Sequence, residues 1–219
     1  MIEEILPGQV AAVEARDDSA EELLFGEEQA LLEGAIDKRR REFATGRMCA
    51  RSALRQLGHP ASAILPGSRG EPLWPEGVVG SITHCDGYRA AAVARSSEIL
   101  TVGIDAEPHA QLPDGVLEQI ARAEELAVLR RLCSEEPRLH WDRLLFSAKE
   151  SVYKACYPLS RRWLGFEQVS IAFDPSRCTF LARLLTTGPT LADGPLRALS
   201  GRWLVQEGIG LTAIAMSVE

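Results

Sequence analysis

An α+β fold assembled from two similar halves is what the sequence predicts. Two long helical stretches, about 35–57 and 141–157, are each followed by runs with the two-residue alternation of strands. No repeat is evident residue by residue, yet each half offers a helix followed by strands. A duplicated unit is expected, 1–107 and 108–219, with a linker containing Pro113 and Gly115. At 219 residues, 46% hydrophobic and 25% charged, the chain is expected to bury a proper core and to be soluble. No apolar run approaches the roughly 20 residues of a membrane span. The start, Met1-Ile2-Glu3-Glu4, is acidic rather than signal-like, so a cytoplasmic protein with no membrane partner is expected. Five scattered cysteines (Cys49, Cys85, Cys133, Cys156, Cys178) without Cys-x-x-Cys spacing point to reduced thiols and away from zinc. A net charge of −7 argues against broad nucleic-acid binding.

In chain order, a strand near Val10–Val13 and a helix before residue 32 come first. The first long helix is expected to end at Gly58 and Pro60. Ile36, Phe43, Ala50 and Leu57 recur every seven residues and predict its core-facing stripe. Beside it runs a basic stripe of Arg40, Arg47 and Arg51, with Arg39 and Arg41 at its start. Such a forked cationic face suits a phosphate, although a solvated face partly balanced by Glu42 is the alternative. Residues 66–72 form a glycine-containing loop, and Gly67 and Gly70 permit close backbone approach. Tyr88 to Ala94 reads as a small-residue strand, joined through Arg95-Ser96-Ser97-Glu98 as a hairpin to Ile99–Asp105. His84, with Ser81 and Thr83 beside it, therefore arrives near that strand and offers a hydrogen bond to a phosphate. A second helical region covers Val116 to about Leu132, with Glu124 and Glu125 exposed. In the helix from Trp141 to Tyr157, ended by Pro158, residues Trp141, Leu145, Ala148, Val152 and Ala155 predict the buried seam. Lys149, Glu150, Tyr153 and Lys154 lie beside it.

The chemistry concentrates in Val102-Gly103-Ile104-Asp105-Ala106-Glu107. Asp105 and Glu107, two apart on a strand, share a face, and two converging carboxylates are costly unless a cation sits between them. Hard oxygen donors with no neighbouring His or Cys point to Mg²⁺. A strand end with two solvated acids is the other reading of this stretch. Glu150 and Lys154 can likewise be a surface pair four residues apart, or a third metal carboxylate flanked by phosphate-binding ammonium groups of Lys149 and Lys154.

Gly80-Ser-Ile-Thr-His84-Cys, Val102-Gly-Ile-Asp105-Ala-Glu107 and Phe146-Ser-Ala-Lys149-Glu150-Ser-Val-Tyr-Lys154, in that order, resemble the Sfp-type 4′-phosphopantetheinyl transferases. Glu42-Phe43-Ala-Thr-Gly-Arg47-Met-Cys-Ala-Arg51, Gly70-Glu71-Pro72-Leu-Trp74-Pro75 and Arg162-Trp163-Leu-Gly165-Phe166-Glu167 are similar to further blocks of that family, while Pro66 and Glu71 stand where some members carry a basic residue. The resemblance implies two pseudo-symmetric α+β subdomains with the active site between them. It implies transfer of the 4′-phosphopantetheine arm of coenzyme A to a serine of an apo acyl, polyketide or peptidyl carrier, releasing adenosine 3′,5′-bisphosphate. By motif, Asp105, Glu107 and Glu150 are the implied ligands of Mg²⁺, with Mn²⁺ as its substitute. Glu150, Lys149 and Asp105 are the implied catalytic residues, Glu150 taking the serine proton. Arg39, Arg47, Arg51, Gly67, Gly70, Thr83, His84, Lys149 and Lys154 are the implied coenzyme contacts. Both halves in one chain imply a monomer. An acidic carrier helix would need a local basic and apolar patch, for which Arg161, Arg162, Trp163 and Arg138 are the candidates. The rival readings are another Mg²⁺-dependent phosphotransferase and a non-catalytic module that binds coenzyme A or a carrier.

Overall fold

The computed structural model describes residues 1–18 and 24–218. Strand β1 (Ala11–Ala15) and helices α1 (Gly26–Ala30) and α2 (Asp37–Gln56) come first, followed by β2 (Val78–Cys85), β3 (Tyr88–Arg95) and β4 (Ile99–Pro108). Helices α3 (Val116–Ile120), α4 (Ala123–Glu135) and α5 (Trp141–Ser160) lead into β5 (Val169–Asp174) and β6 (Thr179–Leu184). Two short strands, β7 (Thr190–Leu191) and β8 (Gly194–Pro195), precede the closing hairpin of β9 (Ala198–Gln206) and β10 (Ile209–Ser217). A three-stranded antiparallel sheet, ordered β1-β3-β2, carries α2. A five-stranded antiparallel sheet, ordered β4-β10-β9-β6-β5, carries α5. Helix plus sheet thus occurs twice, as the sequence leads one to expect. The acidic run at 19–23, inside the region expected to turn helical, lies outside the described residues.

Alternation builds the first half. On β3, Ala91 and Val93 face Cys49, Ala50, Ala53 and Leu54 of α2. Tyr88, Ala90, Ala92 and Ala94 face the other way, onto Ile99, Val102 and Ile104 of β4 and Leu211 of β10. Small side chains on β3 let both layers close on it. In the second half the predicted seam of α5 is buried, and Trp141 sets its ring 5.3 Å from Trp203 and 5.5 Å from Phe173.

Several expectations are corrected. Ile36, expected in the stripe of α2, stands outside the helix and is 72% exposed; the buried face instead includes Arg47 and Arg51. Residues 95–98 do not close a hairpin between paired strands: β3 pairs with β1 and β2, and β4 crosses to pair with β10. β4, counted with the first half in the expected division at 107, thus belongs to the second sheet. Glu125 is buried, and the helical region holding it breaks at 121–122 into α3 and α4. Pro158 lies inside α5 rather than ending it.

The two sheets meet along β2 and β4. There Ile104 N–H donates to Ser81 Oγ (3.2 Å) and Ala106 N–H to Thr83 Oγ1 (3.0 Å), so side-chain hydroxyls stand where a main-chain ladder would run. Gly103 faces α5. A Cβ there would collide with Ser151 O and Ala155, so its absence brings the helix backbone onto β4.

Candidate active site

Residues 103, 105 and 107 share the face of β4 that α5 covers. Helix α5 runs against them so that Ala155 meets Gly103, Lys154 meets Asp105 and Arg143 meets Glu107. Asp105, 5% exposed, accepts from Lys154 Nζ (2.7 Å) and the Thr83 hydroxyl (3.3 Å) through Oδ1. Its Oδ2 is buried without a hydrogen-bond partner among the described residues. Burial first, then the charge of Asp105, pushes both Glu107 and Glu150 above the usual carboxylate range, against the pull of Arg143 on Glu107 and of Lys154 on both.

The expected three-acid cage is not closed. Among the described residues no three His, Cys, Asp or Glu side chains stand close enough to enclose a metal by themselves. Lys154 lies on Asp105, and Arg143 Nη1 on Glu107 (2.9 Å). The donor set nevertheless fits a hard divalent ion. A buried carboxylate oxygen has no partner, two further acids feel its charge, and Mg²⁺ commonly takes only one or two carboxylates beside water and phosphate oxygens.

A cationic group lies on the first-half side. Arg39 Nη1 sits 3.2 Å from His84 Nε2. Desolvation of the ring, then the nearby Arg39, holds His84 below the usual imidazole range, so it is neutral at pH 7. Arg47 is buried, its guanidinium 4.2 Å from the Phe43 ring centroid and its Nε, 3.7 Å from Glu28, without a hydrogen-bond partner. Burial brings Arg47 down to about 10, against the pull of Glu28, with Arg51 and Arg39 adding repulsion.

A cleft of about 430 Å³ opens between β2 and α5, bounded by Leu73, Trp74, Glu150, Tyr153, Lys154 and Tyr157. That volume is in the range of small-ligand sites. Loop 66–72 straps across its rim: Ser68 Oγ lies 3.4 Å from the Tyr157 hydroxyl, and Arg161 Nη1 donates to Glu71 Oε1 at 2.6 Å.

Four expected contacts sit elsewhere. Lys149 is 2% exposed, and its ammonium donates to Ile120 O, Phe166 O, Val169 O and Glu125, on the far side of α5 from the acids. Arg51 is buried on Glu28 (2.9 Å). Thr83 spends its hydroxyl on Ala106 N–H and Asp105, holding β2 to β4. At Gly67 the space a Cβ would fill holds the Glu71 carboxylate of the same loop, so this glycine serves the loop rather than a ligand. Gly70, at φ +84°, turns the loop and borders the cleft. Sequence reasoning missed Arg143. Its signal was available, because 143, 150 and 154 recur at helical spacing on one face.

Acids suited to a divalent cation beside a cluster of arginine, histidine and lysine define a protein built to handle a phosphorylated ligand. Comparison with known proteins makes this specific. Residues 27–94 match the 4′-phosphopantetheinyl transferase N-terminal domain and residues 101–194 the 4′-phosphopantetheinyl transferase superfamily, dividing at the turn before β4. The chain is 49% identical over 220 residues to the 4′-phosphopantetheinyl transferase Svp of Streptomyces mobaraensis, covering 99% of this chain and 89% of the relative. With Npt of Nocardia iowensis the identity is 48% over 223 residues, 98% of this chain and 99% of the relative. With PptT of Mycobacterium tuberculosis it is 50% over 194 residues, 87% of this chain and 85% of the relative. The chain belongs to the 4′-phosphopantetheinyl transferases and is an enzyme of that class.

Proposed function

We propose that the protein takes the 4′-phosphopantetheine arm from coenzyme A and places it on a serine of an apo carrier protein of fatty-acid, polyketide or peptide assembly. The observation that supports this most, beside family membership, is the partnerless buried Oδ2 of Asp105 set between two acids of raised pKa and a cationic cluster. Asp105, Glu107 and Glu150 are assigned to Mg²⁺, or Mn²⁺ in its place. When bound, the ion would offset the charge of the diphosphate as it breaks. Arg39, Arg47, His84 and Lys154 are assigned to the coenzyme phosphates, with Gly70 and its loop against the nucleotide.

The reaction is phosphoryl-type, so positioning and charge neutralisation do most of the work. The serine oxygen forms a bond to the pantetheine-side phosphorus while the diphosphate P–O bond breaks. The electron pair leaves with adenosine 3′,5′-bisphosphate. The serine proton passes to Glu150, directly or through one water. Lys154, already on Asp105, is placed to keep a diphosphate oxygen close to the acids.

The carrier is assigned to the exposed end of α5. Trp163 is 66% exposed, its ring 4.9 Å from that of Tyr153 at the cleft edge, with Arg161 and Arg162 exposed beside it. Arg138 is dropped from the patch, because it precedes α5 and lies a full 20-residue helix away, roughly 30 Å. No described helix is long and apolar enough to cross a membrane. A monomer in the cytoplasm is proposed, since one chain supplies both sides of the cleft.

The test is to incubate the protein with coenzyme A, Mg²⁺ and an apo carrier, and to weigh the carrier intact. A gain of about 340 Da that disappears with chelator and in Asp105→Ala is expected. Metal-dependent coenzyme binding without any gain on several carriers would leave a binding module instead.

A further inference from the structure

Each half of the molecule contains the same buried device. In the second half, Glu125 near the start of α4 accepts Arg122 N–H (2.8 Å) and Lys149 Nζ (2.7 Å) through Oε2, and Ile171 N–H (2.7 Å) through Oε1. In the first half, Glu28 of α1 accepts Phe25 N–H (3.1 Å) through Oε2 and Ile64 N–H (2.9 Å) through Oε1, and Arg51 Nη1 bonds both oxygens. Each glutamate thus caps its own short helix, receives one main-chain N–H from a later segment, and holds a cation on the long helix. The cation lies 23 residues after Glu28 and 24 after Glu125. Burying a carboxylate is expensive, and an apolar pair of similar volume generally serves stability as well. Two occurrences in matching places therefore call for a reason beyond stability.

The long helices supply it. Lys149 has three protons and four acceptors, on Ile120, Glu125, Phe166 and Val169, so its ammonium is fully engaged and cannot turn toward the cleft. The next residue, Glu150, points about 100° around the helix, into the cleft. Fixing Lys149 fixes the rotation of α5, and with it the aim of Glu150 and Lys154 at Asp105. On α2, Arg51 is fixed by Glu28 one turn beyond Arg47, whose Nε is itself 3.7 Å from the same carboxylate. We propose that Glu125 and Glu28 are positioning residues for the transfer: Glu125, through Lys149, aims Glu150 at the reacting phosphate, and Glu28 holds Arg47 for the coenzyme. This rests on the roles given above to Glu150 and Arg47.

The two arms differ in what they should change. Neutral doubles remove each pair: Glu125→Gln with Lys149→Met, which leaves no lone buried charge, and Glu28→Gln with Arg51→Met, which also releases Arg47 from its acid. Circular dichroism and thermal unfolding report the fold. Intact-mass kinetics on an apo carrier report kcat and the KM for coenzyme A. The α5 double should fold and lose on the order of 10²-fold in kcat, since a misplacement of about 1 Å costs that much, with only a smaller rise in KM for coenzyme A through Lys154. The α2 double should instead raise KM for coenzyme A about tenfold or more, with kcat nearly kept. Folded doubles with wild-type constants, or with equal losses in both constants on both helices, would overturn the proposal. Lys149→Arg and Arg51→Lys, which keep the charge and change only the reach, repeat the test where a double does not fold. They should show the same split, and wild-type constants in both would again overturn it. Failure of the underlying reading looks different: wild-type protein would add no mass to the carrier, or Glu150→Gln would turn over normally.

Discussion

Asp105 sets the character of its neighbours more than its own. One oxygen is tied by Lys154 and Thr83, the other is buried without a partner, and its charge helps lift Glu107 and Glu150. Asp105→Asn keeps the shape and removes the charge. Glu150 should then titrate closer to the ordinary carboxylate range, and turnover should fall by about 10²–10³-fold, which intact-mass kinetics with coenzyme A would read. His84 gives a second expectation. It is neutral at pH 7 because desolvation of its ring, then Arg39, opposes the proton, with Lys154 and Arg89 adding to this and Glu42 pulling the other way. A bound phosphate would favour the charged ring and raise its pKa. Coenzyme affinity should therefore strengthen as pH falls from neutrality toward the lowered titration range of the free ring, with proton uptake visible by calorimetry in buffers of different ionisation enthalpy. In His84→Gln the uptake should vanish. Glu14 acts on stability alone. Burial works to raise it, but hydrogen bonds from Ile2 N–H, the Tyr88 hydroxyl and the N-terminal amine win, leaving its pKa below that of an ordinary glutamate. Its contribution is therefore complete above about pH 4.5 and is lost as pH falls through the lowered folded value. Glu14→Ala, which leaves the Tyr88 hydroxyl unpaired, should cost roughly 1–3 kcal/mol at pH 7 and less at pH 3, by urea unfolding.

At the scale of elements, the contact of β4 with α5 joins fold to chemistry. Gly103 lets Ser151 and Ala155 lie on the strand, and the same closeness delivers Lys154 to Asp105 and Arg143 to Glu107. Gly103→Ala places a methyl group against the main chain of Ser151 and Ala155, where nothing can yield but the helix itself. Overpacking of this kind costs about 1–3 kcal/mol, and the displaced helix should lower turnover beyond what the lost stability explains. Unfolding and kcat measured on one preparation separate the two effects, and an unchanged kcat would show that the close contact serves packing alone. Much of this was legible in the sequence. The step of four and three from Trp141 to Ala155 gave the buried face of α5, and Asp105 and Glu107 two apart gave the shared face of β4. What could not be read was long-range. Residues 95–98 look like a hairpin because turn residues separate two strands, and only the pairing of β4 with β10, far along the chain, shows the crossover. Glu125 reads as exposed, and Lys149 as a phosphate-binding ammonium, for the same reason: beside each other, their partners are three main-chain carbonyls and two main-chain N–H groups, which carry no side-chain signature.

For the molecule as a whole, a duplicated plan makes one cleft. Each helix-and-sheet unit brings a different character to the line where β2 meets β4: arginine cations from α2 beside the neutral His84 of β2, carboxylates from β4 and α5. A chain of net charge −7 must still meet a carrier protein, and an acidic carrier would be repelled by most of its surface. The exposed turn after α5 is where that repulsion is locally reversed, with Arg161 and Arg162 flanking an exposed tryptophan at the cleft edge. Of these, Arg161 is already committed to Glu71 of the loop 66–72, so changing it would loosen the strap as well as the surface. Arg162 is the cleaner probe, because among the described residues only its main-chain N–H is engaged, donating to Ser160 Oγ. Arg162→Glu should raise KM for an acidic carrier several-fold through a slower encounter, leave KM for coenzyme A unchanged, and steepen neither constant with Mg²⁺. Raising the salt concentration should shrink the difference between variant and wild type, because exposed charges are screened beyond about 8 Å at physiological ionic strength. Steady-state kinetics at two salt concentrations measure both. An unchanged carrier KM at low salt would move the docking surface away from this turn and onto another part of the rim.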